Sequence, residues 1–386
     1  MNIIWITKLS DSNPFKSTQF GITSALRKKG HKVQLFLVKP LQSNTPSTPT
    51  HTYLSLIDIP FISGLIFGLY LLIVFPIVIK RNHVDVVIID GDQILSPFCV
   101  ILRMMKPLII WDIRSLPIDR SSSFLHDLSF YHSKLFVDAL TTITPELKMI
   151  LTKKYHLHTK PIGIWTSGVS PEIFNDEQNP TFPLSDKDPK DFIVMYHGTY
   201  SPTRGIEELI TSISYISSDI KDHIKLRIIG INQNDRPNLD SIVHTLSLHE
   251  HVEILPSVDQ TLIPSYIKQS DVGIIPLPPL HPWWQVSIPL KTLEYLMMKT
   301  PVIVTNIPFH QQLLSNCLCG KNVTSADPKD LAFAISWMYE HKNQLQKMGA
   351  NGKHYVETQF SFDKVSTDLE TFIKSIMVEQ SHEHIN

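Results

Sequence analysis

The stretch FIVMYHGTYSPTRGIEELI, residues 192–210, reads as a strand that stops at a glycine and a helix that starts soon after. Phe192 to Tyr196 is an unbroken apolar run, as a strand covered on both faces requires. His197-Gly198 ends it with room for close approach of a ligand. Ile206, Leu209 and Ile210 then fall at helical spacing behind Arg204-Gly205. Strand, turn and helix in that order form the unit of a parallel α/β sheet, and ligands bind such sheets beyond the carboxyl ends of the strands.

The same grammar extends both ways. Downstream, KLRIIG, HVEIL, VGIIP and PVIVT are strands separated by helical stretches. Upstream, NIIWIT, HKVQLFLV, HVDVVIID, PLIIW and ALTTIT repeat the pattern, with STQFGITSALRKKG as a helix ending at Gly30. Between the halves lies DEQNPTFPLSDKDPKD, polar and proline-rich as a linker is. A chain of 386 residues also exceeds the roughly 250–300 at which one core stops growing. The expected division is a Rossmann-like domain over 1–175, a linker over 176–191 and a second Rossmann-like domain over 192–360. An amphipathic helix over 361–378 is expected to pack back toward the first domain, with 379–386 a loose tail.

Lys and Arg total 35 and Asp and Glu 36, a net charge of −1, so no nucleic-acid partner is expected. Cys99, Cys317 and Cys319 make neither a disulfide framework nor a zinc set. MNIIWITKLSDSN has no basic region ahead of a long apolar stretch, so no signal peptide is expected and a cytoplasmic setting fits. One segment stands apart. IDIPFISGLIFGLYLLIVFPIVI, residues 57–79, holds a single charge, Asp58, and meets Lys80-Arg81. It is long enough for a bilayer span of ~20 residues. Its place between strands of one sheet, and Gly64, Gly68 and Pro76, favour a greasy crossover helix, buried or lying on a membrane surface.

A second stretch carries chemistry. In SIPLKTLEYLMMKTPVIVTN, residues 287–306, Lys291 and Glu294 share one face at the start of a helix. Ser287 is placed to cap free N–H groups and Pro289 suits a first turn. The helix N-terminus and Lys291 suit a phosphate, and Glu294 suits sugar hydroxyls. An ordinary ion pair on a solvated face, worth about 0.2–0.5 kcal/mol, would read the same way. Arg204 also follows a strand, so it points to the same sheet edge, where two cations would neutralise a diphosphate.

In order along the chain, ALRKKGHKV, DALTTITPELKMIL with TSGVSPEIF, YHGTYSPTRGIEELI, KLRIIG and PLKTLEYLMMKTPVIVT resemble the glycosyltransferases of family 4. The resemblance runs from Asn2 to about Ile373. It implies the GT-B fold, two Rossmann-like doubly wound parallel-sheet domains facing across a cleft, acceptor on the first and nucleotide-sugar donor on the second. It further implies that Glu294 holds the ribose and that Arg204 and Lys291 contact the diphosphate. Gly198, Thr199, Gly230, Ser287, Ile288, Pro289 and Leu290 complete the implied donor set. Transfer with retention at the anomeric carbon, without a metal or other cofactor, follows from the same resemblance.

Four positions depart from the family. Val286 stands where the first of two motif glutamates is expected, and Thr199 where a basic residue is expected after Gly198. SDSNPFKSTQFG replaces a glycine-rich loop. Asp112, in WDIRSLP, stands where the first domain often has a histidine. Asp112 would orient the acceptor with Arg114 holding a phosphate, or the two would form a buried pair tying a loop to the sheet. Trp283-Trp284 would floor a sugar or base site, or close a hydrophobic junction. His249, His251, His156 and His158 lack partners at metal-ligand spacing.

The expected function is transfer of a sugar from a nucleotide diphosphate to a glycan or lipid-linked acceptor, by an enzyme at the inner face of the cell membrane that meets the surface through 57–81. Arg204, Lys291 and Asp112 are the expected catalytic residues. A nucleotide-sugar epimerase of the same fold, or a silent subunit that binds a partner enzyme, are the alternatives.

Overall fold

The computed structural model describes residues 1–10, 16–40, 46–56, 62–90, 96–116, 124, 126–128, 130–131, 134–175 and 190–383. The chain divides into two compact units, Met1–Gly168 with Phe362–Asn386, and Val169–Ser361.

The first unit holds a parallel sheet of β1 (Asn2–Ser10), β2 (Lys32–Pro40), β3 (His51–Leu56), β4 (Val86–Asp90), β5 (Leu108–Ile113), β6 (Ala139–Thr142) and β7 (Ile162–Ile164). Their order is β3-β2-β1-β4-β5-β6-β7. The central strands are near-continuous Val, Ile and Leu because both faces are covered: Ile3, Trp5, Val86, Ile88, Leu108 and Ile110 are all buried. The second unit holds β8 (Phe192–His197), β9 (Ile224–Ile231), β10 (Val252–Pro256), β11 (Val272–Ile275), β12 (Val302–Thr305) and β13 (Gly320–Val323), also parallel, in the order β10-β9-β8-β11-β12-β13. The order reverses at β8, whose carboxyl end is therefore the place where such a sheet binds ligands.

Helices α1 (Lys16–Lys28), α2 (Ile62–Asn82), α3 (Ser96–Met105) and α4 (Pro145–Tyr155) cross the first sheet. In the second unit α5 (Ile206–Ser212) follows β8, α6 (Leu290–Met297) precedes β12, and α7 (Pro308–Cys317) follows it. The terminal helix α8 (Phe362–Glu383) packs along α1 and adds Val365, Leu369 and Ile373 to the first core. Its Phe362 ring fills the space over Gly21 and Gly168, where a Cβ would come within 3 Å of the ring.

The division falls at Gly168/Val169 rather than after 175. The Val169 N–H donates to the Phe360 carbonyl, and Phe174 is buried in the second core, so 169–175 pack with the second unit. Residues 176–189 of the expected linker lie outside the described residues.

Within the expected 57–79 helix, Ile62 onward is α2, and 57–61 lie outside the described residues. Among the described side chains no helix is long and apolar enough to cross a bilayer. Packing gives the stronger reason: Phe67, Leu71, Phe75 and Ile79, one turn apart, are buried, and the helix joins two strands of one sheet. Contrary to expectation, Cys317 and Cys319 are bonded to each other. The helix α7 ends at Cys317, and Leu318 between the two cysteines takes a left-handed conformation, φ 47°.

Candidate functional site

At the carboxyl end of β8 the chain needs a glycine. Gly198 has φ +125°, and a Cβ there would lie 2.4 Å from Cε of Lys291. The lysine therefore lies across the bare end of the strand. Its Nζ donates to the Tyr196 hydroxyl at 3.3 Å and sits 4.8 Å from that ring's centroid. Gly230, φ +105°, lets β9 close on this point, since a Cβ there would meet the Gly198 backbone at 2.9 Å. Gly230 thus shapes the site by packing.

Glu294 lies one turn along α6 from Lys291, with Oε2 3.4 Å from Nε2 of His197. That histidine is buried, packs edge-on against Tyr295, and its Nε2 has no partner in hydrogen-bond geometry. Burial and the neighbouring Lys291 lower its pKa well below the usual value, so it is neutral. Burial, with Arg204 nearby, brings Lys291 down to about 7, although Glu294 pulls the other way. Burial raises Glu294 to about 7 against the pull of Lys291. A lysine and a carboxylate poised near neutrality at the topological switch of the sheet are the electrostatic signature of a ligand site.

Arg204 ends a short turn, Pro202–Arg204, that Ser201 caps through its hydroxyl. Trp284 anchors that turn: its indole N–H donates to the Thr203 carbonyl at 2.8 Å, and Arg204 lies 6.0 Å over its ring. Trp283 stacks on Trp284 with the planes 8° apart. The buried Trp284 is thus a support for the cationic turn.

The start of α6 differs from expectation. Ser287 donates to the Trp283 carbonyl at 2.6 Å and does not cap the helix. Pro289 takes the cap position, without a side-chain bond. The Thr292 N–H donates to the Pro289 carbonyl at 3.1 Å, which leaves the N–H groups of Leu290 and Lys291 at the open end of the helix, where Ile288, Leu290 and Lys291 are half-buried. Val286 is buried, and Thr199 is exposed at the end of β8. Sequence reasoning missed His310. Its Nδ1–H donates to the Thr305 carbonyl at 2.9 Å and its Nε2 accepts from Thr292 at 3.0 Å, pinning α6 to β12. Burial holds its pKa down at about 4, which keeps Nε2 an acceptor.

In the first unit, Asp90 and Asp112 are register partners on β4 and β5. Each accepts from an indole N–H, Asp90 from Trp5 at 2.9 Å and Asp112 from Trp165 at 2.8 Å. Asp112 also accepts from Thr141 at 2.7 Å, and its other oxygen is buried without a partner. Burial and the Asp112 charge raise Asp90 to about 7; burial raises Asp112 while Arg114 opposes it. Arg114 lies 3.8 Å over Trp165 and donates to the Trp165 carbonyl and the Ser167 hydroxyl. Both residues tie 165–167 to the sheet. Asp112 is fully buried, so what its carboxylate contacts is Trp165 and Thr141. Asp90 was missed because an aspartate ending an apolar strand reads as its boundary.

Among the described residues no group of three or more His, Cys, Asp or Glu is placed to hold a metal ion.

Residues 178–355 match the family model described as glycosyl transferases group 1. The chain is 25% identical over 285 residues to CapM of Staphylococcus aureus, a capsular polysaccharide biosynthesis glycosyltransferase, covering 71% of this chain and 72% of CapM. A sucrose-phosphate synthase of Thermosynechococcus elongatus superposes with a TM-score of 0.77 at 15% identity, over 98% of this chain and 100% of that one. Anabaena HepE, in complex with UDP and glucose, superposes with a TM-score of 0.70 at 12% identity, over 97% and 100%. With two parallel sheets in two units the chain has the GT-B fold, and its second unit is similar to the glycosyl transferases of group 1.

Proposed function

We propose that the second unit binds a nucleotide-diphosphate sugar at the carboxyl end of β8 and that the enzyme passes the sugar to a glycan or lipid-linked acceptor held by the first unit. The observation that carries this is the convergence of Lys291, Glu294 and His197 over the bare backbone of Gly198. Lys291 and Arg204 neutralise the diphosphate, aided by the open end of α6, and Glu294 accepts from the ribose hydroxyls. The glycan acceptor is supported by the name of the CapM relative, and a UDP-type donor by the UDP bound to HepE.

In the proposed step the acceptor hydroxyl attacks the anomeric carbon from the face the diphosphate leaves. The bond from that carbon to the phosphate oxygen breaks, the new glycosidic bond forms, and the hydroxyl proton passes to the departing phosphate. Configuration is retained. The chain's part is positioning and charge neutralisation, for which two side-chain cations suffice without a divalent ion. On the first unit Arg114 offers the charge for an acceptor phosphate, and Asp112 acts on it through Trp165.

Incubation with UDP-, GDP-, ADP- and TDP-sugars tests this. Nucleotide release that requires a glycan or lipid-linked acceptor, and persists in a chelator, is the expected result. Conversion of the sugar nucleotide without any acceptor would establish the epimerase instead. Nucleotide binding with no turnover on any acceptor would establish the silent subunit.

A further inference from the structure

The first unit is polarised in a way that sugar transfer does not explain. The steps β3 to β4, β4 to β5, β5 to β6 and β6 to β7 all run the same way along the sheet. Right-handed crossovers therefore put α2, α3 and α4 on one face and α1, from the reverse step, on the other, where α8 joins it. On α2 the buried stripe Phe67, Leu71, Phe75 and Ile79 has an exposed apolar stripe on the opposite side. Ile66, Leu69, Ile73 and Ile77 are 38%, 49%, 68% and 57% exposed. Met104 on α3 and Met149 on α4 are exposed on the same face of the sheet.

Charge follows the same division. The three helices carry Lys80, Arg81, Arg103, Lys148, Lys153 and Lys154 against one acid of their own, Glu146, with Arg103 paired to Asp138 and Lys154 to Asp127. On the other face α8 carries Asp363, Asp368, Glu370, Glu379 and Glu383 against Lys364 and Lys374, and α1 adds Lys16, Arg27 and Lys28, so that face is balanced in charge. Four large aliphatic side chains in a row, exposed beside Lys80 and Arg81, are not accounted for by the chance scatter of single apolar residues on a surface. A helix with an apolar stripe and basic flanks lies in the headgroup layer of a bilayer, and the cations select an anionic one.

We infer that the exposed face of α2, with the basic ends of α2 to α4, docks this protein on an anionic lipid bilayer. The inference goes beyond the proposed function and does not depend on the donor site. The occupant is lipid, since the apolar stripe meets acyl chains and the cations meet headgroup phosphates.

Flotation of the full chain with vesicles of phosphatidylglycerol and phosphatidylethanolamine, and with phosphatidylcholine alone, tests it. The wild type is expected to float with the anionic vesicles and not with phosphatidylcholine, and to be released by high salt more readily than by dilution. Ile73→Glu/Ile77→Glu is expected to abolish flotation. Lys80→Gln/Arg81→Gln is expected to weaken it roughly thirtyfold. Because these side chains face solvent, both variants should melt like the wild type and bind nucleotide equally well. A wild type that stays with the soluble fraction on anionic vesicles overturns the inference and leaves the donor site standing. So does a concentration-dependent dimer in ultracentrifugation that Ile73→Glu/Ile77→Glu dissociates, which would assign the face to a second copy. Loss of nucleotide binding with intact flotation would instead remove the donor reading alone.

Discussion

Lys291 and Glu294 both titrate near pH 7, with opposite consequences for a nucleotide. The diphosphate needs the lysine charged, so affinity is expected to fall as pH rises past about 7. The ribose needs the glutamate ionised, so affinity is expected to fall as pH drops below about 7. Calorimetric titration from pH 5.5 to 8.5 should therefore give a maximum near neutrality. In Lys291→Met the alkaline limb should flatten, and in Glu294→Gln the acid limb. His197 acts through Glu294. Its replacement by Phe keeps the packing on Tyr295, and should weaken nucleotide binding several-fold in the wild type but hardly at all in Glu294→Gln. Equal losses in both backgrounds would reduce the histidine to packing. Of these residues, Lys291, Glu294 and Arg204 were legible because charges inside an apolar run are conspicuous. His197 was legible as the end of its strand but its pairing with Glu294 was not, because that comes from β8 and α6 meeting, 97 residues apart in sequence.

The strands that sequence reasoning missed share one cause. The unanticipated β3, β7 and β13 all lie at sheet edges, where one side of the strand has no neighbour and a continuous apolar run is not required. HTYLSL and GKNV accordingly mix polar and apolar residues. The inner strands were legible because their burial writes Val and Ile into the chain. The start of α6 shows a further limit: Ser287 looked like a cap, but the turn Trp284–Val286 before it takes the hydroxyl elsewhere. At this scale Gly198 is the hinge between β8 and the site. Gly198→Ala should cost about 1–3 kcal/mol through its positive φ. It should also lower nucleotide affinity by displacing Lys291, and Gly230→Ala should do so less directly, by pushing on the Gly198 backbone. Thermal melts and calorimetry on the same samples separate the two effects.

Each unit has its own core, and the chain returns at its end to the first. Two calorimetric transitions are expected, and a bound nucleotide should raise only that of the second unit, by about 2.7 kcal/mol at a hundredfold excess over Kd. Truncation after Ser361 strips Val365, Leu369 and Ile373 from the first core. It should abolish the first unit's transition and leave nucleotide binding intact. The two-unit plan was legible because the strand grammar restarts at Phe192. The boundary at Gly168 was not, since the pairing of Val169 with Ser361 is a contact across the whole second unit.

The most direct test of the donor site is calorimetric binding of UDP, GDP, ADP and TDP to the wild type, Lys291→Met and Glu294→Gln. One nucleotide should bind, and each variant should lose affinity by ~1.5–3 kcal/mol, as when a charged hydrogen bond is removed. A folded wild type that binds none of the four, or variants that bind as tightly as it does, would contradict the assignment of Lys291 and Glu294 to the donor.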